Sequence, residues 1–360
     1  LPFLRVSGNR LRMPVPAFLL ENAPWLTAGV LLTFLSSFGQ TFFISIFAGH
    51  IRADFGLSHG QWGGIYTVGT FVSALAMVWA GGLTDRFRVR VLAPAILVLT
   101  ALACLAMAFN PVWWGLFLVI FALRFAGQGM TSHIAVVAMA RWFIASRGKA
   151  LSIATLGFAG GEALLPLLFV SLMTVWDWRL LWVVAAVVAL CGIPLLALRL
   201  RQERTPQSWA QSDRSLGMLG RHWTRRETLH HFLFWFMAPA LLGPSAFNTA
   251  FFFHQVHFAE VKGLAHVELV AMFPLYTAVG IGAMMLSGWA LDRIGTPRLI
   301  PFSQLPLVVA FTLFAVSPGP LTLLAGFVFP GLPTVFHTPL PTACWAESYR
   351  TRPLSSTRPR

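Results

Sequence analysis

Gly81-Gly82-Leu83-Thr84-Asp85-Arg86 and Gly288-Trp289-Ala290-Leu291-Asp292-Arg293 decide how this chain reads. Each lies between two apolar runs long enough to cross a bilayer, and the second follows the first by 207 positions. The same short loop recurring at that distance implies two related halves, as in secondary transporters whose halves rock against one another.

Composition supports a membrane setting. The chain of 360 residues is 57% hydrophobic and 11% charged, with a mean hydropathy of +0.71. Its apolar residues fall in blocks near the roughly 20 that span about 30 Å of hydrocarbon. Spans are expected near residues 25–48, 61–83, 91–109, 112–139, 150–173, 180–198, 231–255, 267–290, 299–317 and 320–338. Both sides of each run are apolar, which excludes barrel strands. The class is an all-α polytopic membrane protein of about ten helices, six and four.

Charge sets the orientation. With the N-terminal tail inside, 22 of the 26 Lys and Arg residues fall on one side, Arg52, Arg179 and Lys262 fall opposite, and Arg124 lies within a span. The positive-inside rule then places the N-terminus in the cytoplasm, at a cell inner membrane. A net charge of +14 distributed this way is explained by topology and anionic lipid, and nucleic acid is not expected as a partner. The run after Arg5, Arg10 and Arg12 is too long for a signal-peptide core and reads as a retained first helix.

The expected divisions are a tail over 1–24, a six-helix bundle over 25–198, a basic linker over 199–230, a four-helix bundle over 231–338 and a tail over 339–360. The linker carries seven arginines against Glu203, Asp213 and Glu227, and reads as a cytoplasmic tether with room for an amphipathic surface helix.

Further motifs carry a resemblance. Gly81-x-Leu83-x-Asp85-Arg86, followed by Arg88 and Arg90, resembles the loop between helices 2 and 3 of the major facilitator superfamily. Gly288-x-x-x-Asp292-Arg293-x-Gly295 resembles its partner between helices 8 and 9. Arg124-Phe125-Ala126-Gly127-Gln128-Gly129 is similar to the helix 4 signature, and Gly157, Gly160, Gly161 and Pro166 to the Gly- and Pro-rich helix 5. With Arg141-Trp142-Phe143 and Arg147-Gly148-Lys149-Ala150, the chain is most similar to bacterial members near the monocarboxylate and oxalate/formate branch. The resemblance implies that the loops gate the cytoplasmic face, Asp85 reaching helix 11 and Asp292 reaching helix 5. A plainer reading, in which such loops only anchor topology, stays beside it. Trp345 through Arg352 resembles the loop after helix 10, so helices 11 and 12 are expected to be missing, and a non-transporting remnant is one alternative.

Two ionisable residues sit deep in spans. Arg124 on span 4 and Glu162 on span 5 fall near the midplane from opposite faces, at 1.5 Å per residue. Such residues face a polar cavity or one another, because charge in hydrocarbon is costly. The planar fork of Arg124 suits a carboxylate, and Glu162 among apolar walls suits proton uptake and release. A structural Arg124–Glu162 pair is the competing reading. Gln40 and Thr41 on span 1, Tyr66 on span 2, Asn248 on span 7 and, more weakly, Tyr276 on span 8 are candidate cavity residues or interhelical hydrogen-bonders.

The remaining constellations are structural by this reading. His254, His257 and Glu260 share a helical face but lack a fourth metal ligand. Trp113, Trp114, Trp176, Trp178 and Trp182 are expected as aromatic-belt anchors. Cys104, Cys191 and Cys344 are too dispersed for a disulfide framework. No phosphate loop, dinucleotide fingerprint or nucleophile elbow occurs in a suitable context, so no cofactor is expected. The functional expectation is secondary active transport of a small solute, such as an organic anion, with a proton as coupling ion. Drug or metabolite efflux is an alternative, and an intramembrane enzyme a weaker one.

Overall fold

The computed structural model describes residues 15–143, 146–201, 225–294, 305–316 and 325–326. Among them every regular element is helical, and seven helices are long and apolar enough to cross a membrane.

Span 1 starts earlier than expected, as the helix Val15–Leu35, and is then broken. After a tight 3-10 turn at Ser36–Gly39 the chain opens at Gln40, whose ψ of 153° is extended. It resumes as Thr41–Ile44 and ends as Ala48–Phe55, where Gly56 takes a left-handed φ of 62°. That conformation favours glycine and lets the chain turn back within a few residues. Ser58 then opens span 2, His59–Ala80, its hydroxyl accepting from the Gln61 amide at 3.2 Å while Gln61 accepts from the Ser58 amide at 2.9 Å. This reciprocal cap satisfies two amides that no carbonyl of the helix can reach.

Spans 3 to 6 are Val89–Phe109, Gly115–Trp142, Arg147–Leu172 and Trp178–Arg199. Span 7 is Phe232–Phe253, followed by the short helices Gln255–Val261 and His266–Val270. Span 8 begins at His266, one residue before the hydropathy pattern suggests, and after a turn at Ala271–Met272 continues as the helix Phe273–Ile294. Leu305–Val316 belongs to span 9. Most of the expected tenth span, residues 202–224 of the linker, Cys344 and the Trp345–Arg352 segment lie outside the described residues.

Close packing between spans is set by small residues. A Cβ on Gly157 of span 5 would lie 2.0 Å from the Val30 carbonyl oxygen of span 1, so the two backbones touch there. Thr33 donates from span 1 to the Ala154 carbonyl at the same crossing. Small residues and a cross-helix hydroxyl are how helices associate where lipid supplies no hydrophobic drive.

The tryptophans divide. Trp113, Trp114 and Trp176 are exposed, as belt anchors should be, but Trp178 and Trp182 are buried, against expectation. Trp182 packs its ring against Phe43 and Phe47, with centroids at 5.4 and 5.0 Å. Trp178 donates to Asp54 at 3.0 Å. The same carboxylate lies 3.5 Å from Arg179 Nε. Arg179 also donates to the Ala108 and Asn110 carbonyls at 3.0 and 2.9 Å, which places a cation on the C-terminal end of span 3.

Candidate functional site

The break in span 1 organises the polar interior. Opening the helix at Gln40 leaves carbonyls without their intrahelical amides, and one of them, Gly39, accepts from Arg124 at 3.3 Å. The same guanidinium nitrogen donates to Thr41 Oγ1 at 3.0 Å, and the Tyr66 hydroxyl donates to that oxygen at 2.9 Å. Arg124 also lies over the Tyr66 ring, 5.7 Å from its centroid. Arg124 itself begins a π-helical stretch, Arg124–Thr131, a form common at functional sites. This widened turn lets Gly127 meet Gly39 backbone to backbone, since a Cβ on Gly127 would fall 2.6 Å from the Gly39 Cα. Spans 1, 2 and 4 are thereby joined at one buried cluster. Arg124 is 7% exposed and its Nε has no hydrogen-bond partner.

Glu162 lies on the other side of the same stretch of span 1. Its neighbour Gly161 packs against Ser37, whose hydroxyl is buried without a partner. Glu162 is also 7% exposed, and it faces Tyr276 and Thr277 of span 8. Thr277 is near enough to act on the carboxyl group, yet its hydroxyl makes no well-directed hydrogen bond. The Tyr276 hydroxyl donates to Asn248 of span 7 at 3.0 Å. Among the described residues Arg124 and Glu162 form no ion pair with each other. The two ionisable side chains instead flank residues 37–41, Arg124 within the first bundle and Glu162 against the second.

Of the residues singled out in the sequence, Arg124, Thr41 and Tyr66 come together directly, and Glu162, Tyr276 and Asn248 form a second set. Gln40 is buried at the break between them. Thr277 and Ser37 were not singled out, because a lone hydroxyl in an apolar span carries no sequence signal. Gln255 was likewise missed: fully buried, it donates to the Phe42 carbonyl at 3.0 Å and ties the second bundle to span 1.

The first repeated loop is anchored within its own bundle. Asp85 pairs with Arg141 at the end of span 4, and Arg141 also donates to the Thr84 carbonyl at 2.6 Å. A His133 ring nitrogen lies 3.2 Å from the Gly81 carbonyl oxygen. Gly288, Asp292 and Arg293 lie toward the end of the span 8 helix, where side chains are outside the described residues, as is Gly295. His257 lies 3.6 Å from Glu260, but no group of three metal-ligating side chains suited to an ion occurs among the described residues.

A broken helix, buried ionisable groups and small-residue crossings between long apolar helices are features found in secondary transporters. The Major Facilitator Superfamily profile matches residues 29–356, and the chain belongs to that family. Among solved structures, it is similar to a bacterial homolog of the human lysosomal transporter Spinster in an inward-facing, unoccupied conformation, at 16% identity and TM-score 0.63, covering 90% of this chain and 74% of that one. The nucleoside transporter NupG aligns at 14% identity and TM-score 0.64, over 87% and 80% of the two chains. The xylose transporter XylE from E. coli, in an inward-open conformation, aligns at 15% identity and TM-score 0.57, over 88% and 81%. These likenesses show the fold. A search of curated proteins found no match.

Proposed function

We propose that the chain carries a small organic anion, such as a monocarboxylate, across a bacterial inner membrane by alternating access coupled to protons. Arg124 is the anion contact and Glu162 the proton-coupling group. The observation that carries this reading is that the two buried ionisable groups flank one helix break without pairing with each other, and Arg124 Nε is left free to donate. A guanidinium with an unfilled donor recognises a carboxylate by charge-assisted hydrogen bonds. Glu162 lies where span 5 meets span 8, so a change in its charge acts on the seam that must part during transport.

Gln40, Tyr66 and Asn248 complete the substrate-facing set. Gly81, Asp85 and Arg86, with Gly288, Asp292 and Arg293, form the gate at the cytoplasmic face. Asp85 pairs with Arg141 within the first bundle, which holds the first loop in place for that role. The distribution of basic residues supports an N-terminus in the cytoplasm. The expected domain division, a six-helix bundle over 25–198 and a second bundle from 231, is part of the same reading.

The test is uptake into proteoliposomes. Wild-type protein should accumulate a monocarboxylate under an inward proton gradient. Glu162→Gln should keep exchange of internal for external substrate but lose the response to the gradient, and Arg124→Ala should lose both. A folded protein that gives flat uptake of monocarboxylates under every gradient overturns the proposal.

A further inference from the structure

At the end of the bundles opposite the Gly81 loop, five histidines gather on the seam between the two halves. His50 closes span 1 and His59 opens span 2, while His254, His257 and His266 follow span 7. The rings of His59 and His257 meet across the seam at 4.9 Å between centroids. His254 feels the charges of His257 and His59, and His266 those of His50 and Glu260. His266 is half-buried, and its Nε2 has no hydrogen-bond partner.

Directly beneath the histidines the seam is closed by apolar and backbone contacts. Trp62 stacks on Phe253 at 6.3 Å, Phe42 meets Phe252 at 6.0 Å, and Gln255 binds the Phe42 carbonyl. The histidines are therefore the polar rim of a closed mouth.

We propose that this cluster is a proton-operated latch: neutral histidines allow the two bundles to close at this end, and protonation from the adjoining solution drives them apart.

The surrounding charges fit that sign. Span 1 contributes Arg52 and Asp54, and Asp54 is held by Arg179 and Trp178. The segment after span 7 contributes Glu260 and Lys262, and the start of span 8 contributes Glu268, whose carboxylate accepts from the Ala265 amide at 2.8 Å. Span 5, packed on His266–Val270, brings only Glu162 near the membrane interior. Among the described residues, Glu260 lies 3.6 Å from His257 and also acts on His266, so it offsets part of any new positive charge on the rim. Burial, then His257 and His59, pull His254 below the ordinary histidine range. The closed seam thus binds fewer protons than the parted one. Closure is favoured above the ordinary histidine value of about 6.5 and weakens as pH falls through it.

The experiment uses nitroxide labels at Gly60→Cys and Val261→Cys, both exposed and on opposite sides of the seam, with the native cysteines replaced by Ala. Pulsed distance measurements at pH 7.5 and 5.5 read the closed and parted populations. One unit of recovered basicity at a single histidine changes their ratio by at most tenfold, a limit approached only below both pKa values, so the parted-to-closed ratio should rise several-fold, by about fivefold for one such histidine, between pH 7.5 and 5.5. The single variants His59→Gln and His257→Gln should each reduce that rise, and the fivefold His→Gln variant should abolish it. Distances unaffected by pH overturn the proposal. So does a shift that survives in the histidine variants and disappears in Glu162→Gln, which would assign the sensing to the carboxyl group. No substrate or gradient enters the measurement, so its failure leaves the transport reading untouched.

Discussion

Replacing Arg124 by Met separates its two roles. The side chain makes one good hydrogen bond, to Thr41 at 3.0 Å, and a long one, to Gly39 at 3.3 Å. A hydrogen bond to a charged group contributes about 1.5–3 kcal/mol net, and a desolvated contact with the Tyr66 face about 1–2 kcal/mol. Against these stands a cost of several kcal/mol for keeping a guanidinium out of water. The contributions nearly offset, so Arg124→Met should change folding stability by about 2 kcal/mol or less in either direction. Substrate binding should respond differently. Two charge-assisted contacts from the free part of the fork are worth about 3 kcal/mol, which is on the order of a hundredfold in Kd. The assay pairs a thermal melt in detergent with binding of a monocarboxylate followed by tryptophan fluorescence. Binding within about threefold of wild type would refute the reasoning; so would a melting temperature lower by more than about 10 °C, because Arg124 would then be a structural cation.

Other perturbations have defined outcomes. Arg179→Ala removes two hydrogen bonds from the end of span 3 and should cost about 2–3 kcal/mol, read as a melting temperature lower by several degrees. Arg179→Lys should recover part of that loss, since it keeps the cation but not the fork. Gly157→Ala drives a methyl into the Val30 carbonyl and should cost about 3 kcal/mol or more in stability, whereas Gly160→Ala meets nothing within 4 Å and should leave the melt unchanged or slightly raised. Acidification from pH 7.5 to 5.5 should loosen the histidine rim, because parting it restores His254 to its ordinary basicity; increased labelling of Phe253→Cys by a membrane-impermeant maleimide, after correction for thiol ionisation, would report it.

Much of the protein was legible in the chain itself. Block length and hydropathy marked most of the described spans, because lipid forces each crossing segment to satisfy its own backbone, whatever its neighbours do. The duplicated Gly-Asp-Arg loops and the rare buried charges at 124 and 162 stood out for the same reason: charge is so costly in a span that its presence is informative by itself. Tertiary structure decided what those residues touch. Span 1 breaks at Gln40 because Arg124 and the Gly39–Gly127 crossing support an opening that no local pattern announces. Trp178 and Trp182, interfacial by composition, are buried because Asp54 and the Phe43–Phe47 pair receive them. Asp85 meets Arg141 across 56 residues, and five histidines dispersed in sequence gather on one rim. The solvent around each span is fixed by its own residues, whereas partner choice depends on how separate spans pack.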